Sequence, residues 1–245
     1  MYSPALIAET PDYLVVYKPP RMHSAPLRRD ETGTLLDWVR AEFPDVLIPR
    51  GQKALEGGLL HRLDRDTHGL VLLGRTQEAL DALNRQQRDG RFQKEYGALS
   101  EGGSAAGLPG FPPPPAFGPV PCFIESAFRA YGPGRRQVRP LAPAGGESGR
   151  DEAKRPVYRT EVLAMKHRGR AVFFTLRLCR GFRHQIRCHL AWTGFPLVND
   201  SLYSGAVKPS MPMGLRAQRL SFDDPSSGEG RSYSIPSLED EAFFR

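Results

Sequence analysis

The 245-residue sequence has no apolar run that approaches the roughly 20 residues a membrane-spanning helix needs. Its N-terminal stretch, MYSPALIAETPDYLVV, lacks a basic start followed by a long apolar run, so no secretory signal peptide is predicted. The three cysteines, Cys122, Cys179 and Cys188, form no C-x-x-C pair and cannot all join in disulfides. No internal repeat is visible. These absences predict a globular protein with free thiols in a reducing cytoplasm.

Charge is distributed unevenly along the chain. The formal net charge is +7. Residues 129–187 hold 15 Lys or Arg and 4 Asp or Glu, a net of +11, so the other 186 residues sum to −4. A basic block of this kind attracts polyanions, and nucleic acid is the usual one. The alternative is a solvated basic face with no partner.

Hydrophobic periodicity and turn residues predict strands and helices without a regular βαβ rhythm. Helices are predicted in TLLDWVRAEF, in QEALDALNRQQRDG after Thr76, in HQIRCHLAWT and in LEDEAFF near the end. Strands are predicted at 5–18 (two strands around a Thr-Pro-Asp turn), 69–74, 92–99, 157–163 and 171–180, and as a hairpin in RLSFDDPSSGEGRSYSI. This pattern predicts an α+β fold, one domain around a mixed, mainly antiparallel β-sheet flanked by helices.

Two irregular stretches interrupt this pattern. Residues 103–121 contain seven prolines in nineteen positions, which cannot supply sheet hydrogen bonds and predict a semi-extended surface loop. Residues 140–156 are rich in Gly, Pro and charge. The segments on either side are too short to fold alone, so both stretches are expected to interrupt a single domain over residues 1–245.

The stretch LLHRLDRDTHGLVLLGRT crowds six ionisable groups against an apolar run. Its two histidines, His61 and His68, and its two aspartates, Asp64 and Asp66, could bind a metal ion, but adjacent arginines oppose a cation. The segment DRDT also fits the D-x-D-x-T pattern of the Mg²⁺-dependent haloacid dehalogenase phosphatases. In those phosphatases the pattern directly follows a buried strand. Here a histidine and an arginine precede it, and these residues do not favour a buried strand at that position.

A third interpretation uses Asp64 alone, as a nucleophile or base kept ionised by nearby arginines. Further arginines lie in RLCRGFRHQIRCHL, which contains no acidic residue. Arg183 and Arg187 are four residues apart and would share a helical face if the helix starts early enough. Arg187 lies in a mostly apolar stretch, so a solvent-facing role fits it poorly.

Three motifs in order resemble those of the RluA-like family of RNA pseudouridine synthases. HRLDRDTHGLVLLGRT resembles the family's H-R-L-D-x-x-T-S-G block, and QKEYGAL resembles its K-x-Y segment. RGFRHQIRCHLAWTGFPLVNDSLY resembles the G-R-T-H-Q-I-R-x-H-L block with its trailing G-x-P-x-x-x-D-x-x-Y. The opening YLVVYKPPRMHS and the late LRAQRLSFDDP also resemble family elements. Together they cover most of the chain outside the two irregular stretches.

The resemblance assigns roles residue by residue. Asp64 takes the place of the catalytic aspartate, Tyr96 that of the tyrosine that packs on the target base, and Arg187 that of the arginine that pairs with the aspartate. Contacts with substrate or RNA are expected from Arg62, Arg65, Lys94, Arg183, His184, Gln185 and Leu190. Three residues depart from the family pattern: His68 replaces the usual Ser, and Phe182 and Arg183 replace the usual Arg and Thr.

The resemblance implies a pseudouridine-synthase-like fold and the isomerisation of specific uridines in ribosomal or transfer RNA, with no cofactor and no metal. It also implies a monomer without the N-terminal RNA-binding module of some relatives. In this interpretation Asp66 and His68 order the loop around Asp64. The alternatives are the phosphatase described above and a non-catalytic RNA-binding protein on the same scaffold.

Overall fold

A computed structural model describes residues 3–51, 55–102, 108–141, 155–204, 207–208 and 210–240. Most of the second irregular stretch, the first residues after 102 in the Pro-rich stretch, and the end of the predicted closing helix lie outside this description. Within the described ranges, no helix is long and apolar enough to cross a membrane. The chain divides into two compact units, one of residues up to Glu95 with Arg216–Ser237, the other of Tyr96–Leu215 with the residues from Leu238.

The described strands, numbered in chain order, are β1 Ala5–Glu9, β2 Tyr13–Lys18, β3 His68–Gly74, β4 Gln93–Ser100, β5 Cys122–Ser126, β6 Phe128–Tyr131, β7 Gln137–Pro140, β8 Tyr158–Arg168, β9 Ala171–Leu178, β10 Leu215–Asp223 and β11 Gly230–Ser234. The helices are α1 Leu35–Glu42, α2 Gln77–Arg88 and α3 Gln185–Trp192, with 3-10 turns at Pro44–Leu47, Pro133–Arg135 and Leu238–Asp240.

In the first unit, β2 pairs antiparallel with β1 and with β3, and β10 pairs antiparallel with β11. The β3–β10 pair is parallel, so this part of the sheet is mixed. β3 is buried along its whole length, as expected for a strand covered on both faces. A core cluster of aliphatic and aromatic side chains, including Tyr13, Leu72, Phe92 and Phe222, joins these strands to α2.

Side-chain caps fix the starts of the two helices in this unit. Thr34 and Asp37 form a reciprocal capping box at the start of α1. Thr76 accepts a hydrogen bond from the backbone N–H of Ala79 and starts α2. The predicted start of α2 after Thr76 is confirmed, and α2 stops just before Gly90, which has φ +74°.

In the second unit, β8 pairs antiparallel with β9 and with β5, and β6 and β7 form a separate two-stranded antiparallel ribbon. α3 is buried at every position. One side of this helix contributes Cys188 and Ala191 to a cluster with Phe128, Val138 and Tyr203. Because every position of α3 is enclosed, each of its polar side chains needs a partner inside the protein.

The α+β fold with a mixed, mainly antiparallel sheet is confirmed, since six of the seven strand pairings with a described register are antiparallel. The sequence analysis did not identify β5, β6 and β7. The closing helix begins only as a 3-10 turn at Leu238–Asp240, and its remaining residues are outside the description. The assignment of one catalytic domain to residues 1–245, without a preceding RNA-binding module, stays a prediction.

The Pro-rich stretch was expected to be a surface loop. Its described part, 108–121, indeed contains no helix or strand. It is nevertheless packed onto the second unit: Phe111 lies against the cluster around α3, and Phe117 contacts Phe174 and Phe195. The sequence prediction therefore missed that apolar side chains anchor this segment.

Candidate functional site

Asp64 lies in an irregular loop just before β3, where side chains alternate between inside and outside. His61 and Leu63 are buried, Arg62 and Arg65 are exposed, and Asp64 is half-buried. The loop therefore points its arginines to solvent and holds Asp64 half-buried at its middle.

Two buried polar residues hold the backbone on either side of Asp64. Ser24 Oγ donates to the carbonyl oxygen of Leu63 and accepts from the N–H of Leu63, at 3.0 Å in both cases. Lys18 Nζ donates to the carbonyl of Arg65 at 3.1 Å, and the N–H of Met22 donates to the same carbonyl at 3.1 Å. The residues before and after Asp64 are thus both fixed to the segment that follows β2.

Lys18 is fully buried at the end of β2. Its ammonium also donates to the carbonyls of Pro19 and Met22, at 2.8 and 2.7 Å. Burial lowers the pKa of Lys18 to about 7, while the carboxylates of Asp64 and Asp66 act to raise it. The sequence analysis placed no role on Lys18, although the tripeptide Lys18-Pro19-Pro20 was visible at the end of the predicted strand.

Gly69 allows β3 to approach β10 closely. It has φ +124°, and a Cβ placed there would lie 2.2 Å from the carbonyl oxygen of Ala217. Ala217 is its partner in the parallel pairing. This close backbone approach fixes where the Asp64 loop enters the strand.

His68 is not a loop residue. It is the first residue of β3, 1% exposed, and its ring packs against Tyr17. Neither ring nitrogen has a hydrogen-bond partner among the described residues. Burial, together with the nearby cations of Arg216 and Lys18, lowers the pKa of His68 to about 3, so the ring is neutral at physiological pH. His68 makes no hydrogen bond to the loop among the described residues, and its predicted loop-ordering role stays a prediction.

His61 is also committed to the interior. Its Nε2 accepts a hydrogen bond from the N–H of Leu72 at 3.3 Å, and burial lowers its pKa well below the ordinary value. A nitrogen that accepts a backbone hydrogen bond is not available to a metal ion. The segment DRDT lies before β3 instead of after a buried strand, so the context that the phosphatase motif requires is absent here.

The exposed arginines of this loop form ion pairs of two kinds. Arg65 lies 3.2 Å from half-buried Asp66, and an exposed pair of this kind contributes little to stability. Arg62 lies 3.2 Å from Glu56, which is only 8% exposed, so its guanidinium is held against a buried carboxylate. Lys94, in contrast, is 4% exposed on β4 with its ammonium over the Phe92 ring, 5.5 Å from the centroid. It is not part of an open basic surface.

In the second unit, Arg187 forms a buried bidentate ion pair with Asp200. Its Nε and Nη2 lie 2.8 and 2.7 Å from the two carboxylate oxygens, and neither side chain is more than 3% exposed. Asp200 also accepts the N–H groups of Leu202 and Tyr203. This geometry fixes the guanidinium plane. Sequence reasoning assigned no role to Asp200, although it is the aspartate of the motif trailing α3.

The residues before α3 do not lie on its face. Arg183 precedes the helix, which starts at Gln185, so the condition for a face shared with Arg187, an earlier helix start, is not met. His184 has φ +56° and its Nδ1 lies 3.4 Å from the hydroxyl of Tyr203. Gln185 is 2% exposed and its amide bonds to Phe182, Arg159 and Thr160, so it braces the loop in place of the predicted RNA contact.

Two further predicted residues are buried in this unit. Tyr96 on β4 is 6% exposed, and Leu190 on α3 is fully buried. Side chains this deeply buried can either line a pocket or belong to the hydrophobic core. His189, which precedes Leu190 on α3, bonds to Ser126 and Thr160 through its two ring nitrogens, and burial lowers its pKa to about 3.

Comparison with known proteins identifies the family of this chain. The family model described as RNA pseudouridylate synthase matches residues 12–192, most of the chain. The chain belongs to the RNA pseudouridylate synthase family. That match includes Asp64, Tyr96 and Arg187, and the sequence-based assignment to this family is confirmed.

Relatives and solved structures agree with this membership. An uncharacterized RNA pseudouridine synthase of Chloroflexus aurantiacus is 31% identical over 89% of this chain and 61% of its own length. A ribosomal large subunit pseudouridine synthase D of Vibrio parahaemolyticus is 27% identical over 96% of this chain and 67% of its own. The chain thus spans about six-tenths of the length of these relatives. Human RNA Pseudouridylate Synthase Domain Containing 1 has the same fold, with TM-score 0.67 and 22% identity over 96% of this chain and 84% of that one.

Proposed function

We propose that this pseudouridylate synthase family member isomerises uridine to pseudouridine in structured RNA, with Asp64 as the reacting carboxylate. The observation that carries the proposal is the clamp around Asp64. Ser24 fixes the residue before it and Lys18 fixes the residue after it, while Asp64 itself is half-buried. A reacting group has to be held in this way, because small displacements from productive geometry are costly in rate.

The reaction breaks the bond between ribose C1′ and uracil N1 and forms a bond between C1′ and C5. The proton on C5 leaves, N1 gains a proton, and no net oxidation occurs. The chemistry therefore requires neither a redox cofactor nor a metal ion. Asp64 either attacks C1′ or removes a proton from C2′, and both routes require the ionised carboxylate.

Tyr96 and Arg187 take the other two roles that the family resemblance implies. Tyr96 stacks on the detached uracil and keeps it from escaping, which suits an aromatic side chain that is 6% exposed. Arg187 acts as the cation that keeps a carboxylate ionised, and its pair with Asp200 pre-orients the guanidinium. The uridine must first leave its stack, which costs a few kcal/mol and is offset by contacts in the pocket.

The RNA is proposed to be ribosomal. Several relatives carry the name ribosomal large subunit pseudouridine synthase D, which favours large-subunit ribosomal RNA over transfer RNA. The basic block at 129–187 would hold phosphates that flank the target. We further expect a cytoplasmic monomer. Mapping pseudouridine in total RNA from cells with and without the gene would identify the modified uridine.

The decisive test compares Asp64→Asn with Asp66→Asn in single turnover, beside a binding assay for each variant. Asn is nearly isosteric with Asp but cannot serve as nucleophile or base, so Asp64→Asn should abolish pseudouridine formation and spare RNA binding. Asp66→Asn should retain most activity. An active Asp64→Asn beside an inactive Asp66→Asn would overturn the assignment, and activity in both would leave only the RNA-binding alternative. Addition of EDTA should not change the wild-type rate while the RNA remains folded.

A further inference from the structure

Phe182 stands where the family motif usually has an arginine, and its ring belongs to a small aromatic cluster. It stacks on Phe128, with the ring centroids 5.1 Å apart and the planes 4° from parallel. Tyr158 packs beside it at 4.9 Å with a 48° tilt. Phe128 is buried, but Phe182 and Tyr158 are only half-buried. The cluster therefore presents part of two aromatic rings at the surface of the second unit.

The backbone around Phe182 is held firmly. Its N–H donates to Oε1 of Gln185 at 2.9 Å, and the amide nitrogen of Gln185 donates in turn to Arg159 and Thr160. Arg183 Nη2 donates to the backbone carbonyls of Arg135 and Gln137, at 2.8 and 3.1 Å. A ring positioned in this way loses little freedom when a ligand stacks on it, which favours binding.

Two exposed arginines flank the ring in sequence. The guanidinium of Arg180 lies over Tyr158, 5.4 Å from the ring centroid. Among the described residues, neither Arg180 nor Arg183 is paired with a carboxylate. A ligand that matches this surface has to be both planar and anionic, and a nucleotide of an RNA strand is both.

We propose that Phe182 and Tyr158 form a stacking platform for an RNA base other than the target uridine, with Arg180 and Arg183 contacting the adjacent phosphates. The proposal rests on the proposed RNA substrate. In this chain, a residue that usually carries a charge has been replaced by one that stacks. The platform therefore contributes affinity that depends on the presence of a base and is less sensitive to salt than a phosphate contact.

The test uses two probes with the same number of phosphates. One is a twelve-nucleotide oligoadenylate, which contains no uridine, and the other is the same oligomer without bases. Wild-type protein should bind the oligoadenylate about 5- to 100-fold more tightly than the abasic oligomer, the range expected for one base stacked on an aromatic ring. Phe182→Leu should remove most of this preference and leave the abasic affinity unchanged. Phe195→Leu is the matched control, because Phe195 is a half-buried ring packed on Phe174 and Phe117 without arginines.

Further variants keep the proposal falsifiable if Phe182→Leu does not fold. Arg180→Gln should weaken both probes equally and reduce the slope of log affinity against log salt by about 0.7, the value for one phosphate on a single strand. Phe182→Arg should lose the base preference and steepen that slope. Unchanged base preference in folded Phe182→Leu, or an unchanged slope in Arg180→Gln, would overturn the platform. Because neither probe contains uridine, a protein that shows the base preference but forms no pseudouridine would overturn the proposed function alone.

Discussion

Ser24 and Leu63 exchange two hydrogen bonds of 3.0 Å, in which one hydroxyl both donates to and accepts from the same backbone residue. Leu63 directly precedes Asp64, and both Ser24 and Leu63 are buried. The hydroxyl therefore satisfies two backbone groups that have no access to water. It also fixes the point from which the Asp64 side chain starts.

Ser24→Ala should slow isomerisation while leaving RNA affinity almost unchanged. The variant leaves a buried N–H and a buried carbonyl of Leu63 without this partner, so the free energy of unfolding should fall by about 1–3 kcal/mol. The rate in single turnover should fall at a temperature where the variant is fully folded, because the Asp64 loop loses one anchor. Ser221→Ala is the control, since among the described residues its hydroxyl bonds to exposed Ser232. Equal rates for wild type and Ser24→Ala would show that the Lys18 anchor is sufficient.

Local signals in the sequence predicted much of the fold, and long-range pairing decided what they missed. Thr76 and Gly90 bracket α2, where the cap and the terminator lie inside one short segment. His68, by contrast, enters β3 because Arg216 pairs with it from β10, far along the chain. The ion pair of Arg187 with Asp200 is likewise a tertiary contact that no periodicity reveals.

The ribbon of β6 and β7 shows a different reason for failure. Its strands are only four residues each, and a Gly-Pro-Gly turn followed by two arginines separates them. Strands this short show only a weak alternation of apolar and polar residues. Only the packed structure shows that Phe128 and Val138 face one cluster. The functional motifs around Asp64 and Arg187 could be assigned from sequence because family resemblance, and not local propensity, carried that assignment.

Lys18 should make stability depend on pH in the alkaline range. Its pKa is lowered to about 7 in the folded protein, below the ordinary value of a lysine in the unfolded chain. Between these two values the unfolded state binds more protons, so Lys18 makes the free energy of unfolding rise with pH, by at most ~1.4 kcal/mol per pH unit. Below pH 7 this contribution is flat, because both states are protonated.

The measurement is urea unfolding of wild type and Lys18→Met from pH 6 to pH 9. The difference in unfolding free energy, wild type minus variant, should increase with pH above about 7. Lys18→Met should also lose activity at every pH, because the carbonyl of Arg65 loses one of its donors. A difference that stays constant over this range would show that the three carbonyl contacts keep the ammonium charged in the folded protein.

The effects of substituting Arg187 and Asp200 on the free energy of unfolding should be strongly non-additive. Turnover, in contrast, should be lost whenever Arg187 is replaced. Asp200→Asn leaves a buried guanidinium without its carboxylate, and breaking such a pair typically costs about 3–5 kcal/mol. The double variant Arg187→Met with Asp200→Leu removes both charges and should recover most of that loss. It should still lack most turnover, since Arg187 is the proposed catalytic cation. Glu125→Gln is the control: Glu125 pairs with Arg159 on the surface and should cost less than about 1 kcal/mol. A double variant with normal turnover would exclude Arg187 from the chemistry.

The Pro-rich segment should matter for stability and not for chemistry. Trp192 donates to the carbonyl of Pro112 at 2.9 Å, and Phe117 lies 5.3 Å from Phe195, so the segment is attached to the second unit by specific contacts. Phe117→Ser removes an apolar side chain that is half-buried, and should lower the free energy of unfolding by about 1–2 kcal/mol. Pro114→Ser changes an exposed position of the same segment and should have almost no effect.

Urea unfolding measures the stability of both variants, and single turnover on RNA at a temperature well below unfolding measures their chemistry. Both should isomerise uridine within a few-fold of wild type, because the contacts of Pro112 and Phe117 are with Trp192, Phe174 and Phe195, none of which is a proposed catalytic residue. If Phe117→Ser were as stable as wild type, the segment would be the peripheral loop that its proline content suggests. If it were folded but inactive, the segment would have to shape the site, and the assignment of catalysis to the three motif residues alone would be incomplete.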